Sequence, residues 1–318
     1  MHRQRTRLAD RLPKRARPTA RALERRGIAA TYALHDRVLS NRSSRRLFET
    51  EPPPLDSVQQ QLLAELRADG YATVPFSDLL ADDELVGAVL AQGDDFVAAT
   101  ERSLADGDGG LRRRPGKEFL VRAHSFDGVR RDLGDPWLRA ALSSKLRSLV
   151  NAYLRMCAKL SYLDLWYTVP QPQEAERVAS QLWHYDFDDK HLLKAFLYLR
   201  DVDEATGPFE YVAGSQPGGR HHAVHPWKPM GYGRVPEEEV ARGVPADAVR
   251  TFTAPRGTLI LCNTSGLHRG GFATGRPRAL ATATYCSPAS LAALSQRNYA
   301  VDPEQLEQLD TAARFALS

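Results

Sequence analysis

The chain has 318 residues, with 42% hydrophobic and 26% charged residues. That is the composition of an ordinary globular protein and excludes a fibrous or low-complexity chain. The formal net charge of +4 is uneven. Residues 1–50 hold 14 Lys/Arg against 4 Asp/Glu, leaving 29 against 35 for the rest. The body is therefore mildly acidic, which argues against a nucleic-acid-binding domain, whose basic face would lie on the folded part. No apolar run is long enough to span a bilayer, and the arginine-rich start has no apolar h-region of a secretory signal. Cys157, Cys262 and Cys286 are odd in number and widely spaced, so neither a disulfide framework nor a C-x-x-C metal site is expected. A cytoplasmic setting follows as the expectation.

In chain order, residues 1–50 read as a basic arm, partly helical or loosely ordered, that offers an electrostatic handle to an acidic partner. Pro52-Pro53-Pro54 marks a boundary, and 51–318 is expected to form a single domain. Within it, helical support spans about 55–158. Val58, Leu62, Leu63 and Leu66 predict a helix from Ser57 to Ala68 that Gly70 stops. Tyr71–Pro75 reads as a strand, Asp82–Gln92 as a helix, and Trp137–Met156 as one further helix with apolar residues spaced in fours. From about 160 to 288 the pattern changes to short strands divided by Pro and Gly: 162–169, 181–186, 193–202, 209–212, 249–253, 258–263 and 278–285. This predicts a mainly β fold with flanking helices, a double-sheet or jelly-roll core, and a helical tail.

The chemistry is carried by Gln181-Leu-Trp-His184-Tyr-Asp186-Phe. In a strand, residues two apart face the same way, so His184 and Asp186 would present an imidazole nitrogen and a carboxylate to one metal. His268, within Gly266-Leu-His268-Arg-Gly-Gly, supplies a third ligand. Two histidines and one carboxylate leave positions open, as suits non-haem Fe(II) oxygenases. Arg278 opens the last strand, where a guanidinium clamps the distal end of a dicarboxylate through paired hydrogen bonds. Gln181 is a candidate for contact with cosubstrate or substrate, or else a satisfied strand-edge amide. Lys194 shares a strand face with Phe196 and Tyr198 and is either a charge for an acidic ligand or a solvated lysine. His221, His222 and His225 lie between Gly218-Gly219 and Pro226, and read as a loop over the site rather than a second ligand set. His124 and His191 read as ordinary structural residues.

From about Leu62 to Tyr285 the chain resembles the phytanoyl-CoA dioxygenase family of the Fe(II)/2-oxoglutarate-dependent oxygenases. The resemblance rests on Gln181-Leu-Trp-His-Tyr-Asp, Leu193-Lys-Ala-Phe-Leu-Tyr-Leu-Arg-Asp-Val, Gly207-Pro-Phe-Glu-Tyr-Val-Ala-Gly214-Ser215 and His268-Arg-Gly-Gly…Arg278. It implies a double-stranded β-helix (jelly-roll, cupin-like) core, Fe(II) on His184, Asp186 and His268, and 2-oxoglutarate on Arg278. It also implies O2-dependent oxidation of a C–H bond with release of succinate and CO2. The chain reads Gln216 where the family commonly has histidine, a departure at a position of structural rather than chemical weight. Related halogenases carry a small residue in place of the carboxylate, so Asp186 argues for hydroxylation or a related oxidation, with a small metabolite, carrier-tethered or free, as the expected substrate. The alternatives are a cupin-like metal-dependent isomerase or hydrolase, which needs no Arg278, and a non-catalytic binding protein on the same scaffold. Substrate choice is expected in 106–131, with Arg112, Arg113, Arg114, Lys117 and Arg122, and in 170–180.

Overall fold

A computed structural model describes residues 17–107, 116–125, 131–229 and 234–318. Helices come first. α1 (Arg17–Arg37) and α2 (Ser40–Thr50) precede α3 (Ser57–Asp69), strand β1 (Tyr71–Pro75), α4 (Phe76–Leu80) and α5 (Asp83–Ala105). After β2 (Leu120–Arg122) come α6 (Pro136–Leu142) and α7 (Ser144–Leu154). The remaining strands are β3 (Lys159–Thr168), β4 (Leu192–Tyr198), β5 (Phe209–Val212), β6 (Val249–Phe252), β7 (Thr258–Cys262), β8 (His268–Arg269) and β9 (Arg278–Cys286). α8 (Glu237–Gly243) lies between β5 and β6, and α9 (Leu291–Leu294), α10 (Pro303–Glu307) and α11 (Thr311–Leu317) form the tail.

The strands make two antiparallel sheets, one ordered β1-β7-β4-β9-β3-β2 and one ordered β6-β5-β8. Alternation decides what each face of the large sheet meets. Leu193, Ala195 and Leu197 of β4, with Ala279, Ala281 and Ala283 of β9, face outward and pack on Leu62, Leu66, Val89, Trp137 and Leu146 of the helices. Phe196, Tyr198, Ile260 and Leu280 face inward and meet Phe209, Tyr211 and Phe252 of the small sheet. β9 is buried along its whole length because both its faces are covered.

Local chemistry explains most boundaries. α3 begins in a reciprocal capping box between Asp56 and Gln59 and ends at Gly70, whose φ of 83° is left-handed. A side chain at Gly70 would also meet the Tyr211 hydroxyl at 2.4 Å. The helix expected over 137–156 is two helices, because Ser143 turns its hydroxyl to the backbone N–H of Leu146 and caps a new start. The helix expected over 82–92 runs on to Ala105; Gly93 sits inside it because a Cβ there would lie 2.6 Å from Leu199. The strand expected over 181–186 does not form. Ala179–Gln181 is a 3₁₀ turn, and only His184 bridges, to His268 and to Arg234. Two short strands, β2 and β8, carry too few residues for a visible alternation.

The basic segment is held from Tyr32 onward. Asp36 is 2% exposed and accepts from Asn41 and Arg45 while pairing with Lys190 and His191. Ser44 donates to the Cys157 carbonyl at 2.6 Å, and Asn41 accepts from the Ala289 N–H at 3.0 Å. Among the described residues no helix is long and apolar enough to cross a membrane. The three cysteines are unpaired and buried.

Candidate metal centre

Among the described residues, His184, Asp186 and His268 offer ligand atoms that all lie within 4.8 Å of one another. The geometry is set by the backbone. The N–H of His184 donates to the His268 carbonyl at 2.9 Å, and the N–H of His268 returns to the His184 carbonyl at 2.8 Å. This reciprocal pair brings residues 84 positions apart side by side, with ring centroids 4.3 Å apart. Asp186 is fixed by its own N–H, which donates to the Thr264 carbonyl at 2.7 Å. The same-face arrangement expected of a strand is thus reached by one bridge and one anchoring hydrogen bond.

Both imidazoles have their tautomer assigned by a carbonyl. Nδ1 of His184 lies 2.8 Å from the Leu182 oxygen, and Nδ1 of His268 lies 3.0 Å from the Gly266 oxygen. A carbonyl only accepts, so each Nδ1 carries the proton and each Nε2 keeps a free lone pair. Burial pushes the pKa of His184 far down and that of His268 down as well, which favours the neutral, ligating form. Burial alone would raise Asp186. The Lys194 ammonium outweighs it and holds the carboxyl below the usual range. Lys194 Nζ stands 2.6 Å from Asp186 Oδ2, and His268 Nε2 stands 3.8 Å from the same oxygen. Lys194 therefore engages the ligand carboxylate itself and occupies a place where positive charge is wanted.

Arg278 lies on the inward face of β9, 6% exposed, in register with Thr168. One terminal nitrogen donates to the Gly207 carbonyl, while Nε has no partner. Nη2 lies 3.9 Å from the point where a Cβ on Gly270 would sit, so the guanidinium reaches the backbone two residues past His268. Gly270 in turn donates to the carbonyl of Ser180, the residue before Gln181, at 2.7 Å. Gln181 is 1% exposed; its oxygen accepts from the Val178 N–H at 3.0 Å and its Nε2 has no partner. Arg278 Nε and Gln181 Nε2 are thus buried donors without partners, and leaving such groups unpaired is costly. Glycine is required here: a Cβ on Gly271 would fall 2.0 Å from the Gly207 oxygen.

His221, His222 and His225 do not join the metal group. His222–Val224 is a 3₁₀ turn, and His225 stacks near Tyr185 and lies 3.8 Å from Glu239. Arg112, Arg113 and Arg114 lie outside the described residues, whereas Arg122 lies over the Trp166 ring at 5.3 Å. Gln216 is 3% exposed and packs against Gly70. Several contributors have no sequence signature. Trp227 donates to the Asp186 carbonyl at 2.8 Å, and Arg234 bridges to His184. Asp164, on the inward face beside Thr282, accepts from Tyr162 at 2.5 Å and pairs with His124. His191 lies 3.0 Å from Asp36 through Nε2, and His124 contacts Asp164 through Nδ1, both as structural contacts.

No family model matches the chain, and no curated protein matches it. Solved structures do. EctD from S. alaskensis, in a structure with 2-oxoglutarate and 5-hydroxyectoine, is 18% identical with a TM-score of 0.50, over 78% of this chain and 86% of that one. That likeness settles the fold. This chain is a double-stranded β-helix protein. The epimerase SnoN, in complex with Fe3+, alpha ketoglutarate and nogalamycin RO, is 20% identical over 78% of this chain and 93% of its own, with a TM-score of 0.48. AviO1 from Streptomyces viridochromogenes Tue57 is 16% identical over 74% and 97%, with a TM-score of 0.47. In the double-stranded β-helix of this chain the metal group lies where the two sheets meet, His184 being bridged to β8 of the small sheet and Asp186 paired to Lys194 of the large one.

Proposed function

We propose that the chain is a non-haem Fe(II) enzyme that uses 2-oxoglutarate and O2 to hydroxylate a C–H bond of a small metabolite. One observation carries the reading. Three convergent ligand atoms are accompanied by a buried arginine, Arg278, whose guanidinium reaches the backbone at Gly270, two residues past His268, and which has no carboxylate partner among the described residues. A metal-dependent isomerase or hydrolase on this fold has no use for such a guanidinium. The resemblance to the phytanoyl-CoA dioxygenase family and the 2-oxoglutarate held by EctD support it further.

The donor set fits iron: two neutral imidazoles and a carboxylate, with the remaining positions left to ligands from solution. When bound, the iron supplies activation of O2 coupled to oxidation of 2-oxoglutarate to succinate and CO2, the chemistry that breaks an unactivated C–H bond. The protein's part is orientation. The Leu182 and Gly266 carbonyls hold both rings with Nε2 inward. Arg278 and Gln181 take the distal carboxylate of 2-oxoglutarate, which satisfies donors that otherwise stay unpaired. Phe196 and Phe209, both buried and with ring centroids 5.2 Å apart, add apolar surface between the two sheets.

The test is anaerobic visible absorption during addition of Fe(II) and then 2-oxoglutarate. A weak charge-transfer band that needs both additions is the expected result. His184→Ala and Asp186→Ala should each abolish the band and succinate release. Iron uptake with no band on adding 2-oxoglutarate, or full turnover in either variant, overturns the assignment.

A further inference from the structure

The metal carboxylate sits on a segment that belongs to no strand. Between the single bridge at His184 and the start of β4 at Leu192, residues 186–191 run as irregular chain. A ligand on such a segment keeps its place only if other groups hold it. The Ser290 hydroxyl donates to the Asp188 carbonyl at 2.9 Å, and the Ser265 hydroxyl to the Asp189 carbonyl at 2.8 Å. The side chain of Asp189, 0% exposed, accepts from the N–H groups of His191 at 3.0 Å and Ser287 at 2.7 Å.

The remaining ties come from α1. The Tyr32 hydroxyl donates to Asp189 Oδ1 and accepts from the Lys190 N–H at 3.2 Å. Its ring lies 5.5 Å, centroid to centroid, from that of Trp227, whose indole N–H donates to the Asp186 carbonyl. Tyr32 thus reaches both ends of the segment at once: directly at residues 189 and 190, and through Trp227 at the ligand residue. Asp36, one helical turn on, fastens α1 to the same stretch, with Oδ2 2.5 Å from Lys190 Nζ and Oδ1 3.0 Å from His191 Nε2.

Resting on the metal-centre reading above, we propose that Tyr32 is a positioning residue of that centre, so that the helix in the basic N-terminal segment is a strut for the Asp186 loop. Groups that orient metal ligands from behind typically change affinity by 10- to 100-fold when removed.

Co(II) is the probe, followed anaerobically by its visible d–d absorption in the full-length apo-protein. Tyr32→Phe removes the hydroxyl and keeps the ring on Trp227; it should weaken Co(II) binding about tenfold and alter the band shape, with apo-protein melting almost unchanged. Thr31→Ala, on the exposed side of α1, should leave both affinity and spectrum as they are. Trp227→Phe, which deletes only the donor to the Asp186 carbonyl, should repeat the Tyr32→Phe effect and covers the case in which the first variant fails to fold. Co(II) affinity and spectrum equal to wild type in both Phe variants overturn the proposal. A wild-type protein that binds no Co(II) overturns the metal-centre reading, and this one with it.

Discussion

Arg278 is the residue whose chemistry is most exposed to a conservative change. Lysine keeps the charge but presents it as a point on a flexible stem, so it cannot both hold the Gly207 carbonyl and pair side-on with a carboxylate. Arg278→Lys should therefore retain Fe(II) binding while weakening 2-oxoglutarate by about 2 kcal/mol, roughly thirtyfold, the worth of one charged hydrogen bond. Titration of the charge-transfer band against 2-oxoglutarate measures it, and unchanged affinity would remove Arg278 from the site. The grouping of His184, Asp186 and His268 was readable in the sequence because two short motifs carry all three residues, whereas the part given to Arg278 stays a proposal. Lys194 was placed on the right face, yet its partner Asp186 was invisible, since the two are neighbours only after residues 186–191 loop back. Nothing in the sequence linked His124 to Asp164, or Trp227 to Asp186, because those contacts are made by tertiary packing.

Among the elements, β3, β4, β5, β6, β7 and β9 were legible to within a few residues, and the segment around the metal was not. A Trp-His-Tyr-Asp run has strand propensity, but its neighbours in space leave room for a single bridge. The helix α1 was the other difficult element. Its apolar stripe is thin, and what ties it to the metal segment is the buried Asp36 carboxylate together with Tyr32. Asp36→Asn would leave Lys190, His191 and Arg45 facing a neutral amide in a buried setting, at a cost of about 3 kcal/mol. Hydrogen exchange should show α1 and residues 186–191 opening together, while α3 and α7 keep wild-type protection. Loss of protection throughout the molecule would mean that α1 is part of the global fold rather than a docked strut.

Across the whole molecule, the inward and outward faces of the large sheet divide the labour: helices on one side, chemistry on the other. The tail closes the outer side. Lys159 of β3, 8% exposed, donates to the carbonyls of Phe315 and Ser318 and lies over the Phe315 ring. Burial, helped by the nearby Arg297, pulls its pKa down to about 8 from 10.5. The unfolded chain therefore binds more protons than the fold between those values, so this group's contribution to stability rises with pH across that window. Below pH 8 the full penalty stands, about 3 kcal/mol by the size of the shift. The wild type should gain on Lys159→Met between pH 8 and 10.5 when their melting curves are compared. A pH-independent difference would show that the lysine is not penalised for its burial.

The reciprocal hydrogen bonds between His184 and His268 give the centre an uneven rigidity. Both imidazoles are mounted on one closed backbone ring, whose two hydrogen bonds set their separation. The carboxylate is mounted on chain that has to be propped from outside. The entropy that holding a cation would cost then falls mainly on one arm of the chelate, Asp186, and least on the histidine pair.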